Sequence, residues 1–428
     1  MPAATPGNLV QNTSYKVVIP FYVYAAASLL VATILLIFST GSFTEYYFNP
    51  RALAITHTMA LGWATMIILG ASHQLVPVLI EARLYSNFLA YLSFVLAGAG
   101  IPLLIYSFFL FQFDWPAQTG AILINAALLS FVINTAVSIK KSRKRNVHAT
   151  FVLTAACWLL ITTLIGLLLV YNFSESILPK DSVKYLPLHA HIGFIGWFLL
   201  LVMGVGSRLL PMFLISKYTN SRQLWWIYSL VNAGLAGFII IFFSPAQALA
   251  YFLPVLLIMT ALVLFGRYCF KAYKERIRKQ VDEPMKVSIL SVIMMLLPVL
   301  LLLVVLSMLL LSVNNSRLIM AYGFSIFFGW ITAMILGMTF KTLPFIVWNK
   351  IYHNRAGKGK TPNPKDLFST PVFSTMSVLY IAGFFLFAIG VLLGISIILS
   401  LASVLLFLTA VLYNFNVIKM LFHKPVIK

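Results

Sequence analysis

Three histidines stand where the chain repeats itself. The repeat reads Gly62-Trp63, Gly70, Pro77; then Gly196-Trp197, Gly204, Pro211; then Gly329-Trp330, Gly337, Pro344. Each step from Trp to Gly and from Gly to Pro is seven residues, and the copies lie 134 and then 133 residues apart. Six residues before the repeat tryptophan stand His57 in the first copy, His191 in the second and Phe324 in the third. Imidazole is the commonest metal ligand among side chains. Helices related by a rotation present equivalent side chains at the same depth, so His57 and His191 are expected to clamp a flat macrocycle as its two axial ligands. The second copy adds His189 in His189-Ala190-His191. Two residues along a helix turn a side chain by roughly 200°. His189 is therefore expected either to ligate in a different interhelical space or to hydrogen-bond a neighbouring carbonyl or Tyr185.

Residues so placed need long helices to hold them. The 428-residue chain is 61% hydrophobic and 9% charged, with a mean hydropathy of +0.98, which excludes a water-facing surface of that size. Twelve apolar runs reach the length of about 20 residues that crosses a bilayer as helix. Their approximate cores are 17–39, 51–80, 86–111, 116–139, 149–172, 185–214, 223–243, 247–268, 286–313, 317–346, 370–395 and 397–420. The repeat falls on spans two, six and ten, so each unit contains four helices. With an even number of spans, successive units enter the membrane the same way up, and the expected arrangement is a rotational ring about the membrane normal. The expected architecture is all-α: one polytopic domain over 1–428, with twelve transmembrane helices in three four-helix repeats (17–139, 149–268, 286–420) and quasi-threefold symmetry. Glycines seven residues apart let these helices approach closely.

The formal charge of +21 is placed on one side of this map. Arg51, Lys180, Lys184 and Arg317 on the other side are balanced by Glu45, Asp114, Glu175 and Asp181. The basic side is expected to be cytoplasmic, with both termini there, in an integral cell membrane protein. Its lysines and arginines suit anionic lipid headgroups and require no nucleic acid. Neither cysteine, Cys157 or Cys269, suggests a disulfide, and the first residues do not read as a removable signal peptide. No Asp or Glu falls in the middle of a span, which disfavours proton pumping and proton-driven transport. The chain has no Walker A pattern, dinucleotide glycine fingerprint or CxxCH, so any such macrocycle is expected to be held non-covalently. His73, Gln74, Arg208 and Lys341 form a polar layer towards the basic side, read as side chains reaching for water or as a way in for protons.

Ile55-Thr56-His57-Thr58 through Gly62-Trp63 to Leu75-Val76-Pro77, and Leu188-His189-Ala190-His191 followed by Leu209-Leu210-Pro211, resemble the haem-bearing helices of the haem-copper oxidase superfamily. That family includes cytochrome oxidase subunit I and the membrane nitric oxide reductases, and it too has twelve helices with quasi-threefold symmetry. The resemblance implies that His57 and His191 share a low-spin haem b and that His189 holds a second, if two are present. Arg51, like Lys180 or Lys184, would pair with propionates or else anchor its helix at the interface. The third copy carries Tyr322 and Phe324 at the histidine positions, and span seven has no histidine. His148, His353 and His423 fall in connecting segments, so no copper-containing binuclear centre is expected. The resulting expectation is a b-type haem protein for electron transfer or for binding or reducing a diatomic gas, nitric oxide or oxygen. Its partners would be the lipid bilayer, an electron-donor protein or quinol, and the gas. The alternative is a membrane carrier or haem-linked sensor built on the same helix ring.

Overall fold

Hydrocarbon offers the backbone no hydrogen bonds, so an apolar chain that crosses it must satisfy its own amides, and a helix does so within each segment. The computed structural model describes residues 13–142, 146–245, 247–353 and 361–425. Among them regular structure is helical apart from one isolated bridge between Ser216 and Arg276. Twelve helices are long and apolar enough to span a membrane, as many as expected. They are α1 (Tyr15–Ile37), α2 (Pro50–Ile80), α3 (Asn87–Leu110), α4 (Trp115–Lys141), α5 (Val147–Glu175), α6 (Ser182–Leu214), α7 (Ser221–Phe243), α8 (Ala248–Lys274), α9 (Glu283–Leu310), α10 (Ser316–Tyr352), α11 (Thr370–Leu393) and α12 (Ser396–Leu421).

The repeat-bearing helices α2, α6 and α10 are the longest, at 31, 33 and 37 residues. They are also the most enclosed, with 72%, 61% and 83% of their most apolar stretch buried against 28% for α7 and α9. They therefore make the interior, while α7 and α9 present most of their surface to lipid. Neighbours recur in a fixed pattern: α1 packs on α2, α5 on α6 and α9 on α10, while α3 pairs with α4, α7 with α8 and α11 with α12. The last helix of each set meets the first of the next, α4 on α5 and α8 on α9, and α12 returns to α1.

The repeat residues have matching physical tasks. A Cβ on Gly70 would stand 2.6 Å from Cβ of Phe21 on α1, and one on Gly204 would collide with Phe151 on α5. Gly337 lies as tightly against Ser288 on α9. Proline lacks an amide hydrogen and frees the carbonyl four residues back. Pro77 so frees that of His73, which Thr13 Oγ1 takes at 2.7 Å, and Pro211 frees that of Ser207, which Tyr268 takes through its hydroxyl at 3.1 Å. The tryptophans tie the helices together. Trp63 Nε1 donates to Thr332 Oγ1 of α10 at 3.1 Å, and Trp197 Nε1 donates to Thr65 Oγ1 of α2 at 3.2 Å. Thr65 and Thr332 each follow their own repeat tryptophan by two residues, where the second copy has Leu199.

All three interior helices widen into π-helix at the same place, over Thr58–Thr65, Ile192–Leu199 and Ser325–Ile331. Each π segment begins directly after His57, His191 or Phe324. Such segments inside α-helices concentrate at functional sites. In α10 the loosened carbonyls are satisfied from neighbours: Tyr380 donates to Phe328 O and Gly329 O, and Ser291 to Trp330 O.

Replacing Gly204 with Leu is expected to lower stability by about 1–3 kcal/mol through overpacking against Phe151. Gly266→Ala, where nothing stands within 4 Å of the added carbon, is expected to leave it unchanged or raised. Thermal unfolding of the detergent-solubilised protein measures both, and equal midpoints would count against this packing.

Candidate functional site

The interior helices enclose a cavity of about 720 Å³ on the side of the π segments away from Lys341, within the range of about 300–1,000 Å³ usual for ligand pockets. His57, His189 and His191 all line it. Each is half-buried, and each sits at the end of the α-helical turn that precedes a π segment.

All three imidazoles are fixed in the same way. His57 Nδ1 donates to Leu53 O at 2.9 Å, His189 Nδ1 to Thr162 O at 3.0 Å and His191 Nδ1 to Pro187 O at 2.7 Å. A carbonyl oxygen only accepts, so Nδ1 carries the hydrogen and Nε2 the lone pair. Fixing the tautomer through a backbone carbonyl is the usual support of a metal-ligating histidine. For His57 and His189 no hydrogen bond to Nε2 occurs among the described residues.

The ring that stands opposite His57 is that of His189. Their centroids are 6.3 Å apart and their planes are 19° from parallel. His191, the expected partner of His57, turns instead towards α10. Its ring lies 6.0 Å from that of Tyr322 at 23°, and Tyr322 Oη donates to its Nε2 at 3.3 Å. The roughly 200° between residues two apart does separate His189 from His191 as expected, but with the opposite assignment. The physical reason is that a matching place in the sequence repeat does not fix which faces of α2, α6 and α10 meet; the packing sets the His57 ring against His189 and the His191 ring against Tyr322.

Arg51 does not reach the cavity. Its guanidinium lies 4.3 Å over the ring of Phe109, and Lys180 and Lys184 are exposed. His73 is buried between the rings of Phe21 and Phe131, with Nε2 unpartnered among the described residues. At that end Lys341 Nζ pairs with Asp282 at 2.5 Å. This half-buried ion pair joins the start of α9 to α10 and was not anticipated from the polar layer. His148 Nδ1 donates to Gly204 O and also meets Ser207 Oγ on α6, and His423 meets the hydroxyl of Tyr352.

The His57 and His189 side of the cavity is otherwise apolar. Phe108 stands 4.6 Å from the His57 ring, edge to face. Gly166 of α5 lets His189 stand where a side chain would be, since its Cβ would lie 3.0 Å from Cε1 of the imidazole. Asn125 and Thr163 close the neighbouring wall by a reciprocal pair of bonds, each 3.0 Å. Tyr322 and Gly166 were not read as site residues. Tyr322 could have been, because it occupies the His189 position of the third copy, 133 residues on. Gly166 carries no such signal, since its role depends on which face of α5 meets α6.

No cluster of three or more His, Cys, Asp or Glu side chains occurs among the described residues. Two facing imidazoles alone suit a metal whose remaining positions are already filled by another ligand.

The contact between Gly166 and His189 is open to a double-mutant cycle. Gly166→Leu is expected to cost about 1–3 kcal/mol by driving into the imidazole. Combined with His189→Ala, which vacates that volume, the same change is expected to cost much less. Additive effects on the unfolding midpoint would show that the two do not touch.

Beside this geometry, no protein-family model matches the chain and no curated protein matches it.

Proposed function

We propose that this chain is a b-type haem protein of the cell membrane, with both termini cytoplasmic, that passes electrons through one haem held between His57 and His189. The observation that carries the reading is the facing pair of imidazoles at 6.3 Å. Two metal–imidazole bonds of about 2 Å each take up most of that separation, and the two ring half-widths take up the rest. Both Nε2 atoms carry lone pairs because both Nδ1 atoms donate to carbonyls, which also raises their basicity as ligands. The apolar walls suit the face of a macrocycle. Among the described residues no lysine or arginine lines the cavity, so propionates would be met by Tyr47, Ser182 or water at its outer rim rather than by Arg51.

A haem iron supplies one-electron redox chemistry when bound. Held by both His57 and His189, such a group would serve electron transfer rather than gas binding. The residues themselves orient the ligand nitrogens, exclude water through Phe108 and its neighbours, and hold the pair rigid on π-helical junctions. A soluble protein or a membrane quinol would serve as electron donor.

The same reading takes the twelve helices as three four-helix repeats with quasi-threefold symmetry, akin to the haem-copper oxidase superfamily. It is supported by the close glycine contacts of all three copies, aromatic in the first two, by the Trp-to-Thr bonds of Trp63 and Trp197, and by the three π segments. Under that symmetry three equivalent spaces hold His57 with His189, His191 with Tyr322, and Phe324 with Ile55. The third is apolar, and Phe324 stacks there with Phe328, Phe384 and Phe387.

Purified protein from haem-replete cells is expected to show a sharp low-spin α band on reduction. His57→Ala and His189→Ala are each expected to abolish it, and His191→Ala to leave it largely intact. A colourless, iron-free protein would sink the haem reading and favour a carrier. A low-spin band lost in His191→Ala but kept in His189→Ala would restore the pairing of His57 with His191.

A further inference from the structure

At the basic end of the molecule a group of cations without partners gathers where α7 begins and α8 ends. The exposed stripe of α8 runs through Leu253, Leu256 and Val263 and finishes in Arg267, Lys271 and Lys274, while that of α7 starts with Arg222, Trp225 and Trp226. The loop between α6 and α7 is pinned beside them. Ser216 bridges to Arg276, Ile277 N donates to Ile215 O at 3.1 Å, and the ring of Tyr218 packs edge to face on Tyr268 at 5.1 Å. Gln223 ties the start of α7 to α8, accepting from the Tyr218 hydroxyl at 3.1 Å and donating to Leu264 O at 2.8 Å. Lys271 reaches over Tyr218, its Nζ 5.7 Å from the ring centre. Lys217, Arg222, Arg267, Lys271 and Lys274 are exposed, and none of them makes an ion pair among the described residues. From 215 to 279 the sequence holds a single carboxylate, Glu275. Further along, by contrast, Asp282 answers Lys341 and Arg278, and Glu283 answers Lys286.

We propose that this corner binds the phosphate of one anionic phospholipid, whose chains lie along the apolar stripes of α7 and α8. Trp225 and Trp226 set the depth, because tryptophan settles at the headgroup level of a bilayer. Arg222 stands one turn from them, so the cations lie where lipid phosphates run, their stems on apolar surface and their charges at the headgroups. Arginine takes phosphate oxygens in pairs and lysine takes them as a point charge. The sign of the surroundings selects the class of lipid. A zwitterionic headgroup would bring its ammonium among five cations with only Glu275 to receive it, whereas an anionic headgroup brings no such charge. The pinned loop holds Lys217 and Tyr218 in place before the lipid arrives, so little is lost in ordering them. A basic surface attracts a charged leaflet at every helix end, but here the fixed loop, the tryptophans and the unpaired cations coincide. The site lies at the opposite end of α7 from Phe238 and Phe242 in the cavity wall and does not depend on the haem reading.

The test titrates the full chain in detergent with phosphatidylglycerol brominated in its chains, which quenches nearby tryptophan fluorescence, and in parallel with phosphatidylethanolamine brominated in the same way. Saturable quenching by phosphatidylglycerol is expected, about tenfold tighter than by phosphatidylethanolamine, and its amplitude is expected to fall in the double variant Trp225→Phe/Trp226→Phe. Arg222→Gln/Lys271→Gln is expected to weaken phosphatidylglycerol binding by about tenfold or more, at roughly fivefold for each cation removed. The charge-keeping exchange Arg222→Lys/Lys271→Arg is expected to retain most of it. Lys140→Gln/Lys141→Gln, which removes the same charge from the end of α4, is expected to change it by less than about twofold. Equal quenching by the two lipids, or equal losses from the two neutralised pairs with unchanged unfolding midpoints, would overturn the site. Displacement of the lipid by inorganic phosphate at the lipid's own concentration would overturn it as well, since the occupant would then be a free anion.

Discussion

A hydrogen-bonding group inside a bilayer has only the protein to satisfy it, and unpaired it costs several kcal/mol by the order of water-to-hydrocarbon transfer. Helices answer that requirement for most of this chain, and every departure from the α-helix must be answered one group at a time. The carbonyls freed by Pro77 and Pro211 take hydroxyls from Thr13 and Tyr268. Those loosened in the π segment of α10 take Tyr380 and Ser291. Indole hydrogens on Trp63 and Trp197 find threonines on the neighbouring interior helices.

The same constraint prepares the histidines. Each spends its Nδ1 hydrogen on a carbonyl within reach, at Leu53, Thr162 or Pro187. What is left is a lone pair on Nε2 aimed into an apolar cavity. Left bare it is a liability, and a metal or a hydroxyl turns it into a bond. His191 finds a hydroxyl on Tyr322, while His57 and His189 find only each other across a gap. That difference gives two adjacent spaces different chemistry although the helices that bound them are alike.

The glycines of the sequence repeat let each interior helix lie close to a neighbour, Gly70 at Phe21 of α1, Gly204 at Phe151 of α5 and Gly337 at Ser288 of α9. The side chains two residues apart on each copy then decide what each space contains. Substituting Tyr322 and Phe324 for the histidines leaves one space with two imidazoles, one with an imidazole and a phenol, and one filled by stacked rings.

Twelve spans and their limits to within a few residues were legible in the sequence because hydropathy is a local property, read against helix rise and bilayer thickness. The separation of His189 from His191 onto different faces was legible for the same reason. Which face meets His57 was not, because equivalence along the chain says nothing about the sense in which the helices are arranged around one another. The packing of α2, α6 and α10 set His189 opposite His57 and His191 opposite Tyr322. The clearance at Gly166, the capture of Arg51 by Phe109 and the Lys341–Asp282 pair were decided only by tertiary structure. Each depends on contact between helices far apart in the chain, and close packing of that kind leaves no periodic trace in the residues that make it.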